Sequence, residues 1–194
     1  MDHLQWQEKS RRIAFENHLF RMVLSNQQAP DGRMGTFTLL ECSDWVNVVA
    51  LTQTEAGELA LLMVRQYRFG GQQVALEFPG GVIEEGEDTL AAAKRELLEE
   101  TGYRAETWVK LGDINPNPSF MVNRTHTWLA RDLSLPGIQN LDENEIIDVH
   151  VIPLAELMAG KHPDFEVNAI MLASWYWFER WLRDQGTELA VFGR

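Results

Sequence analysis

The order of elements along the chain predicts a mixed α/β (α+β) sandwich, not a doubly wound parallel fold. Three observations carry this. Most periodic segments read as strands, grouped around one long central helix. The chain opens with two strand-like runs on either side of a Pro-Asp-Gly turn, an antiparallel hairpin. The remaining helical pattern is confined to the C-terminal part, where one segment is amphipathic and rich in aromatics.

In order, residues 18–28 read as a strand, and Ala29-Pro30-Asp31-Gly32 as a turn, because proline presets φ and glycine accepts φ > 0. Residues 34–42 are the return strand. Residues 46–51 and 59–67 are apolar runs around the Glu55-Ala56-Gly57 turn and read as buried strands. Residues 74–78 form a short strand that leads into Pro79-Gly80-Gly81. Residues 88–101 read as a helix with Asp88 or Thr89 as N-cap and Gly102 as the left-handed residue at its end. Residues 108–114 and 125–130 are further strands flanking Asn115-Pro116-Asn117-Pro118-Ser119, which is too proline-rich for regular structure. Residues 146–152 form a late strand, a short helix follows Pro153, and residues 169–183 form the aromatic amphipathic helix.

The 194-residue chain is long enough for one well-packed domain, and its net charge is −12. A broad basic surface for nucleic acid is therefore not expected. An anionic ligand remains compatible where metal ions supply local positive charge. The single cysteine, Cys42, excludes a disulfide framework and argues against a cysteine-built metal site. No apolar run approaches the ~20 residues needed to span a bilayer, and the N-terminal stretch lacks the apolar core of a secretory signal. A reducing cytoplasm is the expected compartment.

One segment crowds glutamates between Gly80 and Tyr103. Projected at 100° per residue, Glu96, Glu99 and Glu100 fall within one arc of about a quarter turn. Leu90, Ala91, Lys94, Leu97 and Leu98 fall roughly opposite, the face expected to pack on the sheet. Carboxylates at i, i+3 and i+4 repel by a few tenths of a kcal/mol per pair, so something should offset them. A hard divalent cation with oxygen ligands would do so. The alternative is a solvated acidic face. Spacing decides between the two: Gly81, five residues, Glu87, seven residues, then Arg95-Glu96-Leu97-Leu98-Glu99-Glu100-Thr101-Gly102-Tyr103. A chance match to so many fixed positions is on the order of one in a million at average residue usage.

This pattern resembles the box of the Nudix hydrolases, with Tyr103 where an aliphatic residue is usual. The resemblance implies a Nudix α/β/α sandwich with a mixed sheet and an N-terminal antiparallel β-hairpin. It implies cleavage of nucleoside diphosphates linked to another moiety, with two to three Mg²⁺ (or Mn²⁺) ions per active site. Carried over residue by residue, it makes Glu96, Glu99, Glu100 and the carbonyl of Gly80 metal ligands. Arg95 and Glu87 would pair and orient the helix against the loop, and Gly81 and Gly102 would serve backbone geometry.

Beyond the box, the chain looks most like the ADP-ribose and nucleoside-diphosphate-sugar pyrophosphatases. The features are the Pro-Asp-Gly hairpin, Val64-Arg65-Gln66-Tyr67-Arg68-Phe69, Leu76-Glu77-Phe78-Pro79-Gly80-Gly81, the acidic loop Asp142-Glu143-Asn144-Glu145, and Pro118, fifteen residues past the box. By that resemblance residues 1–44 form a hairpin region exchanged within a homodimer, and residues 45–194 form the Nudix domain. Arg68 would contact the diphosphate, since a guanidinium fork suits phosphate oxygens. Glu77 would position substrate or the neighbouring arginine. Phe20 and Phe37 would sandwich the base. The catalytic candidates are Glu143, Glu145 and Glu99: Glu99 as a further or bridging metal ligand, and Glu143 or Glu145 as general base or an additional metal ligand, with the choice between the two loop glutamates left open by the sequence. The loop after Pro118 departs from the subfamily's Gly-x-Ser-x-Glu: Asn123-Arg124 stands where the glutamate is expected, which leaves room for other nucleoside-diphosphate sugars or for a more acidic leaving half that Arg124 would grip. Hydrolysis of nucleoside triphosphates or dinucleoside polyphosphates, and a non-catalytic nucleotide-sensing module, are the alternatives. The expected partner is a nucleoside-diphosphate-linked small molecule, neither nucleic acid nor membrane.

Overall fold

The computed structural model describes residues 3–135 and 137–185. The chain divides into two compact units, one comprising Met1–Asp44 and Asn115–Arg124, the other Trp45–Ile114 and Thr125–Arg194.

The first unit is a three-stranded antiparallel sheet in the order β1 (Gln7–Glu16), β2 (Arg21–Gln28), β3 (Met34–Glu41). The β2–β3 pair turns at Pro30–Gly32, where Gly32 has φ 90°. Strand β1 is absent from the sequence reading. Every residue of QEKSRRIAFE is exposed, so no apolar period marks it. It forms because β2 offers a free edge, with irregular register between Glu8 and Ser10 and between Ile13 and Phe15. The proline-rich segment belongs with this unit because it adds to β3: the Leu40 amide donates to the Phe120 carbonyl at 2.7 Å, and the Val122 amide to that of Leu40 at 3.1 Å.

The second unit is a mixed seven-stranded sheet. Its path is β10 (Ile147–Pro153), β5 (Leu59–Arg68), β4 (Trp45–Gln53), β9 (Thr125–Ser134), β8 (Arg104–Ile114). Strand β6 (Gln73–Glu77) pairs with β5, and the short β7 (Gly80–Val82) pairs with β4. Only β4–β9 is parallel among these pairings. Helix α1 (Thr89–Thr101) covers one face; α2 (Leu154–Met158) and α3 (Ala169–Asp184) cover the other. Strand β5 shows why its run is continuously apolar. Leu62 faces the α1 side, whereas Leu61 and Met63 face α2 and α3, so both faces of the strand are buried. The α/β/α sandwich expected from the sequence is the fold. Strand β8 begins at Arg104, earlier than its apolar run, and β9 extends to Ser134. Among the described residues no helix is long and apolar enough to cross a membrane.

The aromatics of α3 pack in part into the core. Phe178 is fully buried and stacks on Trp181 with ring centroids 6.2 Å apart, while Trp175 lies against Phe165 and Phe178. On the opposite face, Ala92 and Ala93 let α1 approach the sheet closely and Leu97 fills the space beside them. Truncation of Leu97 to alanine should cost about 2–5 kcal/mol and lower the urea midpoint correspondingly, measured by equilibrium unfolding.

Candidate active site

Helix α1 starts and stops on specific contacts. The Asp88 carboxylate accepts from the amides of Leu90 at 2.9 Å and Ala91 at 3.3 Å. Gly102 ends the helix with φ 74°, its amide donating to the Leu98 carbonyl at 2.8 Å. A Cβ at Gly102 would also sit 2.8 Å from the Gly137 carbonyl oxygen, so space as well as φ requires glycine there. At Gly81 a Cβ would overlap the Glu96 carboxylate, whose carbon would be 2.7 Å away, so a side chain there would displace that carboxylate.

The helix faces differ from the sequence projection. Glu100, placed there on the open acidic arc, is only 3% exposed and lies among the buried residues Ala92, Ala93, Leu97 and Thr101. Ala91 and Lys94, projected onto the packed face, are exposed. The reason is that α1 is covered on two sides. The sheet takes one. On the other, the Gly80 amide donates to the Glu100 carboxylate at 2.8 Å. The segment after β9 also closes over the end of the helix: the Gln139 side chain donates to the Glu100 carbonyl at 2.6 Å and the Asn140 amide to the Glu99 carbonyl at 2.9 Å.

Arg95 ties the acidic groups together. Its guanidinium grips Glu87 through Nε at 3.0 Å and Nη2 at 2.9 Å, and reaches Glu96 at 2.9 Å and Glu99 at 3.1 Å through Nη1. Nη2 also donates to the Val82 carbonyl at 2.9 Å. These bonds hold the Glu87 carboxyl below its usual pKa and raise that of Arg95. Part of the repulsion within the carboxylate cluster is thus offset by a cation of the same helix.

Glu96, Glu99, Glu100, Arg95 and Arg68 line one cleft of about 660 Å³, with Gly80, Gly81, Asp142 and Glu145. Burial foremost, with the nearby Glu145 carboxylate as a smaller contribution, pushes the Glu96 carboxyl up to about 7 and the Glu100 carboxyl up to about 8. Two buried acids of this kind call for protons or for a cation. Among the described residues no three His, Cys, Asp or Glu side chains converge into a ready-made cage. A pair of hard oxygen donors opening on a cleft nevertheless fits Mg²⁺, which keeps several waters and uses few carboxylates.

Glu145 lines the cleft, and its carboxylate accepts from the Asp142 amide at 3.2 Å. Glu143 is exposed in the same turn and does not line the cleft. Arg68 reaches the cleft from the end of β5, paired with Glu77 through its Nε at 2.8 Å and through Nη2. Glu77 itself is fully buried and is not part of the lining. Phe20, Phe37 and Arg124 lie in the first unit. Phe20 sits 5.9 Å from the Phe15 ring, and Phe37 meets Trp6 edge-on at 5.3 Å. The Arg124 amide donates to Asp44 at 2.7 Å and its guanidinium lies 3.4 Å from the Asn115 side chain. Among the cleft residues to which sequence reasoning assigned no role are Trp45, Asn47, Asn140 and Asn168. No local motif marks them, although Asn168 stands where an N-cap is expected before the aromatic helix.

The raised carboxyls predict a pH dependence of stability. Folded-state values of about 7 and about 8, against 4.5 unfolded, mean that the native state binds more protons in that window. The stabilising contribution is complete below the unfolded value and is lost as pH rises through the folded ones. The melting temperature of chelator-treated protein should therefore fall between about pH 4.5 and about pH 8, and Mg²⁺ should lessen the fall.

Comparison with known proteins agrees with this geometry. The NUDIX domain matches residues 44–173. The ADP-ribose pyrophosphatase of Bacillus subtilis (strain 168) is 30% identical over 145 residues, 74% of this chain and 76% of that protein. The methanol dehydrogenase activator of Bacillus methanolicus is likewise 30% identical over 145 residues, with the same coverage of 74% and 76%. A crystal structure of an ADP compounds hydrolase shares the fold with a TM-score of 0.80 at 24% identity, over 96% of this chain and 100% of that one. By its box, its sandwich and its relatives, this chain belongs to the NUDIX family.

Proposed function

We propose that the protein hydrolyses the diphosphate bond of ADP-ribose or another nucleoside-diphosphate sugar, releasing a nucleoside monophosphate and a sugar phosphate, with Mg²⁺ or Mn²⁺ as cofactor. The observation that carries this is the cleft itself, in which buried carboxylates of α1 and the guanidinium of Arg68 share one space. The printed activity of the Bacillus subtilis relative supports the substrate class. The cleft's retention of Glu96, Glu99 and Glu100 favours turnover over nucleotide sensing.

In this reading Glu96 and Glu100 would hold the metal, with Glu99 and the Gly80 carbonyl beside them. Two or three ions held there would supply positive charge for the diphosphate and lower the pKa of a water. Arg68 takes a phosphate oxygen through its guanidinium. Glu145 is the better candidate for general base than Glu143, because it faces the cleft and its charge is felt by both buried acids. Glu87 and Arg95 hold the loop to the helix. Arg124, Phe20 and Phe37 are assigned to leaving-group and base recognition by subfamily resemblance. The first unit leaves Ile13, Phe15, Leu19 and Met34 49–62% exposed, which supports residues 1–44 as the exchanged part of a homodimer.

AMP and ribose 5-phosphate should form from ADP-ribose only with Mg²⁺. Glu100→Gln should lower kcat by about 10³-fold, of the order of one lost transition-state contact. Product chromatography across a panel of nucleoside-diphosphate sugars checks both; turnover in excess chelator would exclude the metal role. Light scattering should report twice the chain mass, and Phe15→Asp should shift the protein toward monomer.

A further inference from the structure

We infer that Asn168, the N-cap of helix α3, is a positioning residue for Arg68: it fixes the buried Glu77 carboxylate and so sets where the guanidinium meets the diphosphate. The inference rests on the reading of Arg68 as a phosphate contact. Glu77 is 0% exposed and divides its two oxygens between partners. Oε1 accepts from the Asn168 amide nitrogen at 2.8 Å. Oε2 accepts from Arg68, at 2.8 Å through Nε and also through Nη2, and from the Gln66 side chain at 3.4 Å. Asn168 is committed at its other end too, because Oδ1 caps α3 by accepting from the Ile170 amide at 3.0 Å.

An amide held at both ends cannot swing. It therefore clamps one oxygen of a carboxylate that water does not reach, leaving the other oxygen for the arginine. Arg68 is about half exposed, so its own side chain has little packing to hold it in place. Its orientation is set from behind, through Glu77, by the first turn of a helix 100 residues downstream.

Serine is the informative replacement, because it retains the helix cap while removing the reach to Glu77. Asn168→Ser should weaken the Kd for ADP, measured calorimetrically with Mg²⁺, on the order of tenfold, the loss expected for a hydrogen bond to a charged group. KM for the diphosphate substrate should rise alike, with kcat changed far less. In the Arg68→Ala background, the same replacement should leave Kd unaltered. Equal weakening by Asn168→Ser with and without Arg68, or loss of kcat at unchanged Kd and KM, would overturn the inference. Because ADP binding is read without turnover, failure to hydrolyse ADP-ribose would overturn the substrate reading and leave this comparison intact.

Discussion

The guanidinium of Arg95 is the contact on which the cleft depends. It reaches three carboxylates and a loop carbonyl, spanning Val82 and Glu87 on the loop and Glu96 and Glu99 on the helix. Carboxylates spaced three and four apart on a helix would otherwise repel one another and face an uncompensated loop. Arg95 binds them in a planar fork that fixes both distance and direction, which a lysine would not do. The glycine at position 81 completes the arrangement, since any side chain there would displace Glu96.

Burial then divides the acids into two classes. Glu87 and Glu99 are satisfied by Arg95 at the margin of the cleft. Glu100 is enclosed by the loop and the sheet, with the Gly80 amide on one oxygen, and Glu96 is largely enclosed beside it. Such desolvation is costly for an isolated carboxylate, which is why both acids hold their protons more tightly than in water. The same enclosure ties helix packing to site chemistry: Leu97, next to Glu96 and three residues before Glu100, anchors the helix against the sheet, so loosening the core there also loosens the carboxylates.

A second charge pair faces this cluster from a different part of the sheet. Arg68 presents its guanidinium to the cleft while Glu77 stays behind it, beyond solvent. The cleft therefore has carboxylates on one wall and a guanidinium on the other. The seven-stranded sheet places both walls, because β5, β6 and β7 are joined to it side by side.

The sequence by itself determined the sandwich, the helix with both its caps, and the identity of the acidic cluster, because each rests on local spacing: period two in the strands, capping residues at the ends of α1, fixed intervals from Gly81 to Gly102. It did not mark β1, whose residues are all exposed and whose strand exists only through pairing with β2. Nor could it tell that Glu100 is buried, since a helical projection contains one packed face and the fold supplies two covers. Only the tertiary structure turned Glu145 toward the cleft and Glu143 away from it, although the two stand two residues apart in one turn. Only it joined Asn168 to Glu77, a contact across 91 residues between two side chains that carry no shared motif. Such contacts depend on where the sheet delivers its strand ends, which no interval along the chain encodes.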